Sequence, residues 1–147
     1  MSLNVFKCGI NEIMYIKDAI SNVKSEEDIC CFNEEVIKKF LCNNDNWFYV
    51  ATMDEKVVAY AIAYVQRRID TTKNMVCLYE IGTLKCCRKN GIAKSIINTI
   101  IEDGKLNDVM KIWIPTNTNN IPACALYKNI GADEPEVNDE IIYTYRY

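Results

Sequence analysis

The chain has 147 residues, half of them hydrophobic and a quarter charged, with a formal net charge of −3. That length holds one ordinary domain with a real core, expected to run over residues 1–147, and the composition is globular rather than disordered. The weakly acidic balance gives no reason to expect nucleic-acid binding, no apolar run approaches a membrane span, and the N-terminus lacks signal-peptide order, so the expected compartment is the cytoplasm.

Taken from the start, Asn4 to Cys8 alternates and reads as a first strand. Ile13, Ile16, Ile20 and Val23 recur at helical spacing behind Asn11, a residue suited to cap a helix. After the acidic break Ser25-Glu26-Glu27-Asp28, a second helix is expected from Asn33 to Leu41, with Glu34 and Glu35 early and Lys38 and Lys39 late, as the helix dipole favours. Trp47–Met53 and Val57–Gln66 read as strands of an antiparallel hairpin turned at Asp54-Glu55-Lys56. A polar loop follows. Met75 to Leu84 is then a strand rich in β-branched and aromatic residues, and Ile92, Ile96, Ile97 and Ile100 mark a helix from Ile92 to about Asp103. Val109–Ile114 reads as a buried strand ended by Pro115, and Ile121–Ile130 as a short helix with Pro122 in its first turn and Gly131 as its stop. Glu140 to Tyr147 alternates and gives a final strand. Hairpin strands first, then strands alternating with helices, predict a mixed α/β sheet.

Eight cysteines and the absence of histidine restrict the chemistry. Cys30-Cys31 and Cys86-Cys87 are adjacent pairs and no Cys-x-x-Cys occurs, so neither a metal site nor a disulfide framework is expected. Most of the cysteines are expected to be small buried hydrophobes. Without histidine, acid–base work falls to carboxylates, tyrosine, cysteine or water. Cys77 and Cys124 lack an activating base and are not expected to be nucleophiles.

The informative junction is Arg88-Lys89-Asn90-Gly91-Ile92-Ala93, where strand becomes helix. A helix start presents amide hydrogens without intrahelical acceptors and a partial positive charge, so it favours an anion such as a phosphate. Gly91 lets the backbone come close to a ligand, and Arg88 and Lys89 add formal charge. No Walker-type loop and no dinucleotide fingerprint is present. A carboxylate inside an otherwise apolar strand, Glu80, is costly unless it is paired, solvated or functional.

Arg88-Lys89-Asn90-Gly91-Ile92-Ala93 and Asn120-Ile121-Pro122-Ala123-Cys124-Ala125-Leu126-Tyr127, closing at Gly131, occur in that order. On these two motifs the chain resembles the GNAT superfamily of N-acetyltransferases, over roughly the stretch from Trp47 to the end. Within it, Ala63-Tyr64-Val65, Tyr79-Glu80 and Pro122-Ala123-Cys124-Ala125-Leu126-Tyr127 are similar to the small aminoglycoside 3-N-acetyltransferases. Those enzymes carry an acidic run before the Pro-Ala where this chain has Thr116-Asn117-Thr118-Asn119-Asn120, and a Phe where it has Ala132.

The resemblance implies a single GNAT-like domain, with a mostly antiparallel mixed sheet splayed between strands 4 and 5 and helices on both faces. It implies acetyl-CoA as cofactor, held by Ile81, Thr83, Arg88, Lys89, Asn90, Gly91, Ile92, Ala93, Lys94, Asn120, Ala123 and Tyr127. The fourth strand would bend near Gly82 and leave the Thr83 N–H for the thioester oxygen and pantetheine. Asn120 would bond the pantetheine arm, cap its helix, or do both. Tyr127 would be the general acid unless it only packs a helix. Glu80 would accept the amine's proton or anchor the cationic substrate, against a structural pairing with a lysine, and Glu26, Glu27 and Asp28 form a further acidic cluster nearby in sequence. The expected reaction is direct acetyl transfer in a ternary complex to an aminoglycoside or other small cationic amine. The alternatives are a protein lysine or N-terminal acetyltransferase, a non-catalytic coenzyme A-binding regulatory module, and a plain structural domain. Dimers recur in the superfamily, and Tyr143, Tyr145 and Tyr147 would line such an interface or the core.

Overall fold

The computed structural model describes residues 2–135 and 142–147. Two compact units make up the chain, Met1–Pro115 and Thr116–Tyr147. The first holds a five-stranded sheet in the order β1 (Leu3–Lys7), β2 (Asn46–Met53), β3 (Lys56–Gln66), β4 (Asn74–Thr83), β5 (Val109–Trp113). The pairs from β1 to β4 are antiparallel and β4 runs parallel to β5, so the mixed sheet read from the sequence is the sheet observed. The β2–β3 hairpin turns on Asp54 and Glu55, both at positive φ (47° and 66°), the twist-matched conformation of a tight hairpin.

Alternation along β2 and β3 sends side chains to two covered faces. On one, Phe48, Val50 and Tyr60 pack with Ile16, Ala19 and Val23 from the first helical region. On the other, Tyr49, Ala51, Ala59, Ala61 and Ala63 are fully buried, and the small alanine side chains leave room for a helix to lie close. That helix is α3 (Ile92–Leu106), whose buried residues Ile92, Ile96, Ile97 and Ile100 form its sheet-facing stripe. The Tyr49 hydroxyl, fully enclosed, donates to Asp103 Oδ2 on α3 at 2.6 Å, which fixes the helix on the sheet. Helices therefore cover both faces.

The first helical region departs from its sequence pattern. It starts at Ile10, with Gly9 rather than Asn11 in the capping position, and the Glu12 carboxylate accepts from the Gly9 N–H at 2.9 Å. After α1 (Ile13–Asp18) the chain widens into a π turn, Ala19–Val23, and tightens into a 3-10 turn, Lys24–Glu26. Ala19 and Val23, four residues apart, are both buried across the wide turn. α2 (Glu34–Leu41) follows the sequence reading, with Asn33 Oδ1 accepting from the Val36 N–H at 3.2 Å.

The second unit contains α4 (Ile121–Ile130), stopped by Gly131 at φ 95°. The final strand expected over Glu140–Tyr147 is not found in residues 142–147, which carry no regular structure, and its residues 140 and 141 lie outside the described residues.

Two stability consequences follow from Tyr49. Tyr49→Phe is expected to cost about 1–2 kcal/mol in urea denaturation, the worth of a buried hydrogen bond to a carboxylate. Burial, aided by Asp103, raises the Tyr49 phenol above its ordinary value. Its contribution is thus complete below the unfolded phenol's value of about 10 and is lost as pH climbs beyond it. Tyr49→Phe should flatten that alkaline loss.

Candidate active site: an opened strand edge and the start of α3

The sheet parts on one side of β4. β5 pairs only with Asn74–Cys77, and from Leu78 to Thr83 β4 has no strand partner on that side among the described residues. On the other side, Leu84 donates from its backbone to Val58 O at 2.9 Å. Antiparallel alternation then turns the N–H groups of Thr83 and Ile81 toward the opened edge. These are the two strand residues expected from the sequence to meet a thioester arm. An interior strand with amides aimed into a cleft needs partners there.

The bend that accompanies the opening is not at Gly82. Ile62 pairs with Glu80 and Ala63 with Leu78, so Tyr79 is the extra residue of a β-bulge. Gly82 serves a different purpose: a Cβ there would lie 2.7 Å from Tyr60 Cε1, so glycine is what lets the Tyr60 ring cross β4.

β4 leads into the start of α3. Gly91 holds the left-handed conformation, φ 73° and ψ 7°, and a Cβ at this position would meet no atom within 4 Å. Space therefore lies open in front of the first turn, Ile92-Ala93-Lys94, whose amide hydrogens lack intrahelical acceptors. Lys89 is also left-handed, at φ 65°. Asn90 ties the loop together by donating from Nδ2 to Cys87 O (3.2 Å) and Arg88 O (3.3 Å). Arg88 is engaged within the protein: Nε donates to Thr83 O at 3.2 Å and a terminal nitrogen pairs with Glu27 at 2.5 Å. The hydrogen bond from Arg88, with Lys85 nearby, holds the Glu27 carboxyl below its ordinary value.

Glu80 is paired. Both Lys24 Nζ, at 2.5 Å, and the Tyr60 hydroxyl donate to its Oε1. Burial first, then this hydrogen bond, pushes the Tyr60 phenol well above its ordinary value. Burial alone would lower Lys24, but its hydrogen bond and attraction to Glu80, with Asp28 at 3.7 Å, outweigh that and raise it. Lys24 and Tyr60 were not singled out from the sequence; they lie 56 and 20 residues from Glu80, and only the folded sheet joins them. The acidic stretch after Lys24 is likewise spoken for: Glu26 Oε2 accepts from the Lys85 N–H at 2.8 Å and Glu27 pairs with Arg88.

In the second unit, Asn120 Oδ1 accepts from the Ala123 N–H at 3.3 Å, so Asn120 does cap α4. Tyr127 is half-buried on α4, and burial, then the nearby Cys124, raises its phenol above the ordinary value. Of the eight cysteines only Cys8 and Cys77 are buried, and Cys31, Cys42 and Cys86 are exposed. Their expected role as mostly core residues is corrected: the apolar runs around them belong to turns and short helices rather than to the sheet. Burial raises the Cys77 thiol, which disfavours the thiolate. Among the described residues no group of three or more Cys, Asp or Glu side chains could hold a metal ion, and no helix is long and apolar enough to cross a membrane.

The sheet parted beside β4, with the following helix starting at a left-handed glycine, is an α/β architecture with backbone amides turned to an open edge. Residues 15–132 match the family described as Acetyltransferase (GNAT) family, across both units, and the chain belongs to this family of acyltransferases. It is 24% identical to human N-acetyltransferase 8 over 70% of this chain and 45% of the relative; the chain spans about half the length of the curated relatives it matches. An aminoglycoside acetyltransferase from an uncultured soil metagenomic sample superposes with TM-score 0.85 at 16% identity, covering 99% of this chain and 95% of that one. The aminoglycoside N-acetyltransferase AAC(6')-Iy, in complex with the bisubstrate analogue CoA-S-monomethyl-acetylneamine, superposes with TM-score 0.81 at 15% identity, covering 100% of both chains. At such identities these likenesses show the fold.

The Tyr60–Gly82 contact yields a direct test. Gly82→Ala forces the ring aside and is expected to cost about 1–3 kcal/mol in urea denaturation. Gly82→Ala combined with Tyr60→Leu, which removes the opposing ring, should lose less than the sum of the single changes.

Proposed function

We propose that the protein is an acetyl-CoA-dependent N-acetyltransferase that moves acetyl to a primary amine by direct attack in a ternary complex. The acceptor is an aminoglycoside or another small cationic amine. The observation that carries this reading is the continuity of the opened β4 edge with the uncrowded start of α3. One presents the Ile81 and Thr83 amides and the other a row of helix-terminal amides, donors of the kind a thioester oxygen and a pyrophosphate take. The residues present fit coenzyme A: a Cβ at Gly91 would stand in open space in front of the turn, so ligand oxygens have room to reach the backbone. Ile92, Ala93 and Lys94, with Lys89 and Asn90 beside them, would hold the pyrophosphate, and Thr83 and Ile81 the pantetheine arm; for Asn120 and Ala123 of the second unit that role rests on the motif alone.

When bound, acetyl-CoA supplies an activated acyl group. The protein's own residues then divide the remaining work. The Ile81 and Thr83 amides stabilise the charge that develops on the acyl oxygen. Glu80 anchors the acceptor's positive charge and takes its proton, because an ammonium has no lone pair with which to attack. Tyr127 Oη gives a proton to the departing sulfur, and its raised phenol suits it, since a group that stays protonated is a reservoir for that step. The family relation to aminoglycoside-modifying neighbours supports a small cationic acceptor, as does the carboxylate in the cleft. The same reading treats residues 1–147 as one functional domain, working in the cytoplasm without a nucleic-acid or membrane partner.

Calorimetry with coenzyme A and thiol release from acetyl-CoA over a panel of amines test the reading. Gly91→Glu should abolish coenzyme A binding while the fold survives. Gly91→Ala carries the same left-handed strain, about 1–2 kcal/mol, without bulk or charge, and should retain measurable affinity. Affinity retained in Gly91→Glu would sink the assignment; coenzyme A bound with no thiol released by any amine would favour a regulatory module. Tyr127→Phe should lower kcat by about a hundredfold or more while coenzyme A affinity changes little, the signature of a lost general acid.

A further inference from the structure

The Glu80 carboxylate does not stand ready for a substrate cation; it already holds one. Lys24 Nζ lies 2.5 Å from Oε1, and the two side chains are 24% and 27% exposed, so both meet solvent. Burial of a charged pair this partial is typical of a cleft wall, not a core. Both Lys24 and Tyr60 donate to Oε1, and among the described residues no hydrogen bond reaches Oε2. Glu80 therefore offers one occupied and one open oxygen on the same carboxylate.

Lys24 is also held from behind. It opens the 3-10 turn Lys24–Glu26 and is followed by residues clamped to the loop before α3: Glu26 to the Lys85 N–H at 2.8 Å and Glu27 to Arg88 at 2.5 Å. The chain thus delivers a primary ammonium to Glu80 on a short tether. A primary ammonium is the group that the proposed acceptor brings.

We propose that Lys24 is a specificity-determining residue, a tethered ammonium that occupies the acceptor's seat on Glu80 and that an incoming amine must displace. This rests on the reading of Glu80 as the amine's anchor. A single weak cation cannot compete with a tethered lysine, whose effective concentration is high. An amine that succeeds gains its foothold at Oε2, which accepts no hydrogen bond among the described residues. Lys24 thereby keeps Glu80 paired while the seat has no substrate, and sets the affinity that an acceptor must exceed.

The test is amine affinity, measured by calorimetry with putrescine in the presence of coenzyme A. Lys24→Met removes the competitor with little change in length, and should bind putrescine about fivefold or more tightly than the wild type, the range of a partly exposed ion pair. Lys24→Arg keeps the cation and should bind it as weakly as the wild type. Glu80→Gln should abolish the gain when combined with Lys24→Met. Should Lys24→Met unfold, Lys24→Gln is read in the same way, and a rise in its melting temperature with putrescine that the wild type does not show would support the proposal. Equal putrescine affinity in wild type and folded Lys24→Met or Lys24→Gln would overturn it, as would a gain of the same size in Lys24→Arg. Those failures leave thiol release from acetyl-CoA intact in the wild type, so the acetyltransferase reading would stand; loss of coenzyme A binding altogether would remove that reading first.

Discussion

The single extra residue in β4 decides what the rest of the molecule can do. Along Val76, Leu78 and Glu80 the sequence keeps a strict two-residue step, and an unbroken strand would put all of them on one face. That face is the one packed by the isoleucines of α3. A carboxylate there would be buried against hydrocarbon without a partner, at a cost of several kcal/mol. The bulge at Tyr79 changes the phase: Leu78 stays opposite Ala63 toward α3, while Glu80 comes opposite Ile62 and joins the face of Tyr60. Ile81 takes the apolar side in its place. One residue of irregularity thus turns an unacceptable burial into a placed carboxylate.

The same irregularity has consequences beyond Glu80. A bulged strand twists more sharply than a regular one, and just before Tyr79, at Cys77 opposite Trp113, β5 ceases to follow β4. The opened edge and the repositioned carboxylate are therefore two results of one local change. Lys24, from the first helical region, and Tyr60, from the adjoining strand β3, close the arrangement. Partial exposure keeps their energetic worth modest, and their larger effect is geometric. They fix the carboxylate rotamer and, through residues 24–27, bind the first helical region to the loop that starts α3.

Much of this frame was legible in the sequence because it rests on local repetition. The β2–β3 hairpin, the isoleucine stripe of α3, and the cap at Asn120 each follow from a few neighbouring residues, and each is found. What could not be read is what depends on distant partners. The bend was expected at Gly82, the obvious weak point of the strand, yet that glycine is required by the Tyr60 ring lying across it. The helix start was read at Asn11 because asparagine is a good cap, whereas the Glu12 carboxylate gives that part to Gly9. Cysteines in apolar stretches looked like core, but only Cys8 and Cys77 are buried, the other six being partly or fully exposed. In each case a residue's type was read correctly and its neighbour was not available to the reading.

The pairing of Arg88 alters how the proposed phosphate seat must work. Sequence alone suggests that Arg88 and Lys89 attract the anion by formal charge. In the fold the Arg88 guanidinium is bound to Glu27 and to Thr83 O, so it braces the loop and its charge is largely cancelled at short range. Recognition then falls to the amide hydrogens at the start of α3, with Lys89 contributing at longer range. Amides arranged by a left-handed glycine are fixed in direction and cost little reorganisation on binding, which favours a ligand whose oxygens match their spacing over anions in general. In the proposed seat, charge would have given strength where geometry gives selectivity, and that division would let an acidic protein hold an anionic ligand beside the carboxylate proposed to meet a cation.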